Sequence, residues 1–344
     1  MTPLISICIP TYNGARYLEA CLNSVLNQTY KDIEILVVDD GSTDTTFEIL
    51  ERYAASDQRI RLVRNEHNLG LVGNWNHCIE LAQGEWIKFV FQDDLISQTC
   101  LERLIAESKK GCSFIACKRG YLLDAETSEN VQQFYFDNQI LIDSIFPDSR
   151  WISAQEYCQL AVNRIGMNFI GEPTSVMLKK NVFEQYGLFN PNLIMSCDLE
   201  YWTRVAIHTG LIYVSENLAT FRVHKGATSA TNRSHRQYRM EVLDALIILH
   251  DIVYASNYAP LREAASSRQP PVDLLKKLSE QARGAKWLAV DAANREDNPD
   301  STLIKEWDQV VIKYPHLAKL TSTTSSHQGN NLLDIWRDRL SRFF

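Results

Sequence analysis

The chain has no surplus of basic residues: 42 acidic side chains outnumber 35 basic ones, for a formal net charge of -7. That removes the positive footprint by which nucleic-acid binders neutralise phosphates, so nucleic acid is not an expected partner. Eight cysteines are present, yet none forms a CxxC pair and no histidine stands at zinc-finger spacing, which excludes the common redox and structural-zinc motifs. Scattered among apolar segments, these thiols are expected to be reduced and packed, as in a cytoplasmic protein. The start, MTPLISICIPTYN, lacks a basic stretch and reaches proline before a signal-peptide core could develop. No run approaches the roughly 18 apolar residues of a membrane span. The best candidate, Val242 to Val253, carries Asp244 and Asp251. Also missing is a Gly-rich, basic phosphate loop after the first apolar run, where only Gly14 and Arg16 stand, which argues against a sugar nucleotidylyltransferase.

What the chain does have is length and apolar content. With 344 residues, 45% of them hydrophobic, it can bury a full core and divide into two unequal domains. Leu4 to Ile9 is a short β-branched run that ends in turn chemistry at Pro10-Thr11-Tyr12-Asn13-Gly14. Leu18, Cys21, Leu22, Val25 and Leu26 then recur at helical spacing, leaving Glu19, Asn23 and Asn27 toward water. Ile33 to Val38 is a second strand, closed by Asp39-Asp40-Gly41, with Ser42 as the expected N-cap of the next helix. Ile60 to Val63 and Trp86 to Phe91 continue the alternation, the latter after a helix that stops at Gly84.

Alternating strands and helices predict an α/β fold: a mostly parallel central sheet with helices on both faces. Ligands of open sheets sit beyond the carboxyl ends of the strands. Those ends carry Tyr12, the Asp39-Asp40 pair and the Asp93-Asp94 pair, so one rim is expected to gather an aromatic ring and four carboxylates. Carboxylates so crowded repel one another unless a cation sits among them, and hard oxygen ligands suit Mg2+ or Mn2+.

IPTYNGARYLEACLNSVLNQTY, EILVVDDGSTD, NLG and QGEWIKFVFQDD, in that order, resemble the family 2 glycosyltransferases of the Rossmann-like GT-A fold, over roughly Ile5 to Ser229. The resemblance implies a nucleotide-diphosphosugar donor, a UDP-sugar or similar, a divalent metal (Mn2+ or Mg2+), and transfer with inversion to a sugar or glycolipid acceptor in polysaccharide or glycoconjugate assembly. It implies a glycosyltransferase domain at 1–229, with a nucleotide-binding half at about 1–97 and an acceptor half at about 98–229. Carried over, Pro10, Tyr12, Asp40, Asn74, Gln92 and Asp93 fall at the nucleotide site, Tyr12 lying against the base and Asp40 accepting its ring N–H. Asp93 falls where the family binds metal. The pattern departs at Phe91, which occupies the first position of the usual DxD, so Asp94, or a residue from elsewhere, is expected to supply a compensating oxygen. It departs again at Gly73, where an arginine commonly precedes the asparagine.

GEPTSVMLKKNVFEQYGLFNPNL resembles the segment that shapes the acceptor pocket, with Glu172 as the contact residue. CDLEYWTRVA resembles the family's acidic pair before a Trp-containing helix. Asp198 is there the expected base, beside Trp202 at the acceptor site. A sugar hydroxyl is a poor nucleophile at neutral pH until a carboxylate within hydrogen-bond reach takes its proton. FRVHKGATS resembles the closing segment, making His224 a second metal ligand and Arg222 or Lys225 a diphosphate partner.

Beyond Ser229 the polar stretch ATSATNRSHR reads as a linker, and 230–344 as a helical region. It could cover the acceptor groove, pair subunits into a homo-oligomer, or finish the core. The tail LLDIWRDRLSRFF (331–344 with the preceding Asn331) gathers apolar residues on one side, as a docking helix or a peripheral membrane helix at the inner membrane face would. A competing function, raised by Phe91, is a catalytically silent nucleotide-sugar-binding subunit.

Overall fold

Ile5–Thr11 (β1) and Ile33–Asp39 (β2) are buried at every position, as strands covered on both faces must be. They pair in parallel, from Ile5 against Ile33 to Thr11 against Asp39. A computed structural model of the chain describes residues 4–108, 111–127, 129, 142–294 and 301–322. Ile60–Arg64 (β3) and Trp86–Phe89 (β4) complete a parallel array in the order β3-β2-β1-β4. Ala15–Leu26 (α1), Thr46–Ser56 (α2) and Gly70–Leu81 (α3) are the crossovers such strands require. On α1, Leu18, Cys21, Leu22 and Val25 are buried while Glu19, Asn23 and Asn27 are exposed, the division that helical spacing imposes.

Ser42 does not cap α2, which begins only at Thr46. The buried Asp39 carboxylate takes the Ser42 N–H (3.0 Å) and hydroxyl instead, because a carboxylate at a covered strand end needs donors from its own turn.

Past β4 the sheet becomes mixed. With Leu95–Ile96 (β5), Phe114–Leu123 (β6), Arg150–Ile152 (β7), Val176–Lys179 (β8) and Leu211–Val223 (β9), the order continues β4-β8-β6-β9-β5, and β7 also pairs with β9. β8 runs antiparallel to β4 and β6, whereas β6 and β9 are parallel to each other. Consequently the beginning of β8 and the ends of β6 and β9 join the carboxyl ends of β1, β2 and β4 on one rim. This is the α/β, GT-A arrangement that the sequence predicts. The core beneath it is apolar, centred on Ile5, Ile7, Ile35, Val37, Leu104, Ile115 and Met177. All eight cysteines are buried free thiols.

The chain divides into two compact units, Met1–Thr231 and Asn232–Phe344. The segment expected as a linker holds a helix, Thr228–His235. It contains no Gly or Pro to break one. The described part of the second unit is helical: Asp244–Tyr254, Ala259–Ser267, Leu274–Ala293, Thr302–Lys313 and Pro315–Ser322. Among the described residues no single helix is long and apolar enough to cross a membrane. The amphipathic segment 331–344 lies outside the described residues.

Candidate active site

The turn after β4 faces the end of β9. Asp93 Oδ2 lies 2.9 Å from His224 Nε2, and both side chains keep limited exposure, 21% and 10%. Arg222 Nε donates to the Asp93 carbonyl (2.8 Å). Its guanidinium sits 4.5 Å from the centre of the Tyr17 ring. That ring meets His224 edge-on at 4.6 Å, and the Tyr17 hydroxyl donates to Asp124 Oδ2 (2.5 Å). Burial, then the bond to Asp124, push the Tyr17 phenol up to about 12, so it stays a donor. Lys225, next in the chain, is exposed.

Asp94 is not the compensating metal ligand. It is fully buried, accepting from the Thr174 hydroxyl on Oδ2 (2.6 Å) and from the Arg222 backbone N–H on Oδ1 (2.9 Å). Both oxygens therefore clamp the start of β8 to the end of β9. Burial, reinforced by the charge of Asp93, raises its carboxyl well above the ordinary range.

At the end of β1, Tyr12 is 47% exposed and presents a ring to solvent. Its N–H donates to Gln92 Oε1 (2.9 Å) and its carbonyl accepts from Gln92 Nε2 (3.1 Å), so Gln92 ties β1 to the β4 turn. A Cβ on Gly14 would stand 2.1 Å from Gln92 Oε1, which is why that position is bare. Pro10 is buried within β1, opposite Val38. Phe91 is half-buried, its ring 4.7 Å from Trp75.

Asp40 is only 2% exposed. Its Oδ1 accepts from Leu69 N–H (2.8 Å) and Asn65 Nδ2 (2.8 Å), and its Oδ2 from Gly70 N–H (3.0 Å). A base edge would meet the one remaining Oδ2 lone pair. Asn74 supports this wall from below, donating to the Val38 carbonyl (3.0 Å) and accepting from Asn65 (3.1 Å).

On the opposite side, helix Cys197–Thr209 presents Asp198 in its first turn. Oδ2 accepts from Asn168 Nδ2 (2.9 Å) and Oδ1 from Leu199 N–H (2.7 Å). Burial pushes this carboxyl up to about 7; the Leu199 hydrogen bond offsets part of the rise, and the charge of Glu172 adds to it. Glu172 itself pairs with the guanidinium of buried Arg119. Trp202, expected to touch a sugar, is 1% exposed and cannot. Its indole packs against Phe114 and Phe189, and Nε1 donates to the Gly171 carbonyl (2.8 Å), shaping the pocket through the backbone.

Gly171 has φ +123°, and a Cβ there would lie 2.4 Å from Arg119 Nη1. That region of backbone space is essentially glycine's alone, at a cost of about 1–3 kcal/mol for other residues. Gly171→Ala is therefore expected to lower Tm by roughly 2–12 °C in a thermal scan. An unchanged Tm would refute this account of the turn.

Sequence reasoning missed Tyr17, Asp124, Asn168, Thr174 and Asn65. Each acts through a partner distant in the chain, so no local pattern marks it. The rim thus carries three groups: Asp93, His224 and Arg222; Asp198 and Glu172; and Asp40 with Asn74. Thr174 and Asp94 connect the first two, while the Asp40 N–H bond to the Thr11 carbonyl (2.8 Å) brings the third to β1.

Residues 6–186 match the family model described as "Glycosyl transferase family 2". The chain belongs to glycosyl transferase family 2. This glycosyltransferase is 27% identical over 243 residues to glycosyltransferase GlyG of Streptococcus pneumoniae, covering 67% of this chain and 74% of that one. In fold it is similar to S. aureus TarS residues 1–349 in complex with UDP-GlcNAc (TM-score 0.58, 16% identity, 91% of this chain and 81% of that one). It also resembles the mannosyltransferase PcManGT of Pyrobaculum calidifontis in complex with GDP-Man and Mn2+ (TM-score 0.53, 17% identity, 92% and 88%).

Among the described residues no three Asp, Glu, His or Cys side chains of the glycosyltransferase gather as a metal cluster. Divalent ions that serve diphosphates are, however, commonly held by one or two protein groups, the substrate's oxygens completing the shell. Asp93 and His224, adjacent and partly exposed, fit that donor set.

Proposed function

We propose that this glycosyltransferase transfers a sugar, with inversion, from a nucleotide-diphosphosugar, a UDP-sugar or similar, to a hydroxyl of a sugar or glycolipid acceptor. The observation that carries the reading is Asp198, a carboxyl oriented by Asn168 and pushed by burial up to about 7. Asn168 in turn bonds Gly171, on the segment whose Thr174 bonds Asp94 in the turn bearing Asp93. A base works best when its pKa lies near the operating pH.

Asp198 takes the proton of the acceptor hydroxyl as that oxygen attacks the anomeric carbon. Attack comes opposite the diphosphate, which departs with the bonding electrons, so a single displacement inverts the centre. Mn2+ or Mg2+ held by Asp93 and His224 would act as a Lewis acid on the leaving diphosphate, worth several kcal/mol. Arg222 and Lys225 add positive charge at that end. Exposed Tyr12 offers a stacking face to the base. Buried, free thiols support a cytoplasmic setting, where polysaccharide or glycoconjugate precursors on the inner membrane face would serve as acceptors.

The test is nucleoside diphosphate release from a panel of UDP- and GDP-sugars with mixed acceptors, each with Mn2+, Mg2+ or chelator. Metal-dependent turnover supports the reading. Donor binding without turnover, unaltered by Asp198→Asn, would favour the silent subunit that Phe91 suggests.

A further inference from the structure

Tyr17 lies near the start of α1, far in sequence from Asp124, Arg222 and His224, which its side chain meets. Its hydroxyl donates to Asp124 at the end of β6, its ring edge abuts His224, and its face carries Arg222. Asp124 is anchored in turn: its N–H donates to the Val223 carbonyl (3.0 Å), and Arg16 pairs with the same Oδ2 (3.0 Å). One phenol thus joins α1, β6 and β9 at the point where the diphosphate end of the site is built. Asp93 fixes His224 at Nε2. The Tyr17 ring occupies another side of the imidazole and limits its rotation, while Asp124 limits rotation of the phenol.

We propose that Tyr17, clasped by Asp124, is a positioning residue that orients His224 and Arg222 toward a metal-bound nucleoside diphosphate. This inference rests on the function proposed above. Groups that orient metal ligands typically contribute 10–100-fold in metal affinity or activity when removed. The ring and the clasp make separable contributions: Tyr17→Phe keeps the wedge and loses the hydroxyl, Asp124→Asn weakens the anchor, and Tyr17→Ala removes both.

The experiment titrates full-length wild type and the three variants with Mn2+ in the presence of UDP, following free Mn2+ by electron paramagnetic resonance, with circular dichroism and Tm as folding controls. Tyr17→Ala is expected to weaken Mn2+ binding about 10–100-fold, with smaller losses for Tyr17→Phe and Asp124→Asn, and to raise the donor KM together with the metal requirement. Should wild type bind Mn2+ with UDP and folded Tyr17→Phe and Asp124→Asn bind it equally well, the clasp is overturned and the functional reading stands. If wild type binds no Mn2+ with UDP, the metal-dependent UDP-sugar form of the functional reading fails and takes this proposal with it. If Tyr17→Ala does not fold, Tyr17→Phe and Asp124→Asn decide the matter.

Discussion

Asp198→Asn is expected to lower kcat by about 10²–10⁴-fold, the range typical of a removed general base, while leaving donor affinity near that of wild type. Steady-state kinetics and a donor-binding isotherm on the same preparation check it. In wild type, the ionised form is the active one, so kcat/KM should fall as pH drops through about 7, the value to which burial has raised this carboxyl. The sign for stability is opposite. Folded Asp198 holds its proton up to about pH 7, whereas in the unfolded chain it is lost near the ordinary carboxylate value, about 3.9. Its contribution to stability is therefore complete at low pH and lost as pH rises through that window. Asn carries no charge to bury, so the variant is expected to melt above wild type at pH 8. A variant both inactive and less stable there would point to a structural role instead.

The second large effect concerns the turn after β4. Asp93→Ala is expected to cost about 3–4 kcal/mol of transition-state stabilisation, or roughly 10²–10³-fold in kcat, and to abolish the response to added Mn2+. Its side chain is partly exposed and bonds His224 at the surface of the site, so the fold should persist. Asp94→Ala should behave in the reverse sense. Losing it leaves the Thr174 hydroxyl and the Arg222 N–H without their buried acceptor, each worth about 1–3 kcal/mol. Tm should fall markedly for Asp94→Ala and little for Asp93→Ala. Equal effects on Tm would contradict the separate roles of these neighbours.

The parallel half of the sheet was legible because β1 to β4 are short, mostly apolar runs closed by turn residues, and strand ends in such sheets bear ligands. Asp93, Asp198 and His224 stood out for that reason together with the family likeness. The antiparallel half was less legible. That β8 delivers its beginning to the rim, carrying Glu172 and Thr174 there, depends on pairing between Trp86–Lys88 and Met177–Lys179, which no local pattern encodes. The same limit separated Asp93 from Asp94: adjacent and chemically identical, they differ only in which way the turn points them. Trp202 was misplaced because the helix that brings Asp198 to the pocket turns the indole into the core one turn later. Ser42 looked like a cap until the buried Asp39 claimed it.

The decisive measurement is a crystal structure of the protein with a non-hydrolysable UDP-sugar and Mn2+. The account calls for anomalous density contacted by Asp93 and His224 together with the diphosphate, and for the Asp198 carboxylate on the face of the anomeric carbon opposite the leaving group. Manganese bound elsewhere, or Asp198 turned away from that carbon, would contradict it.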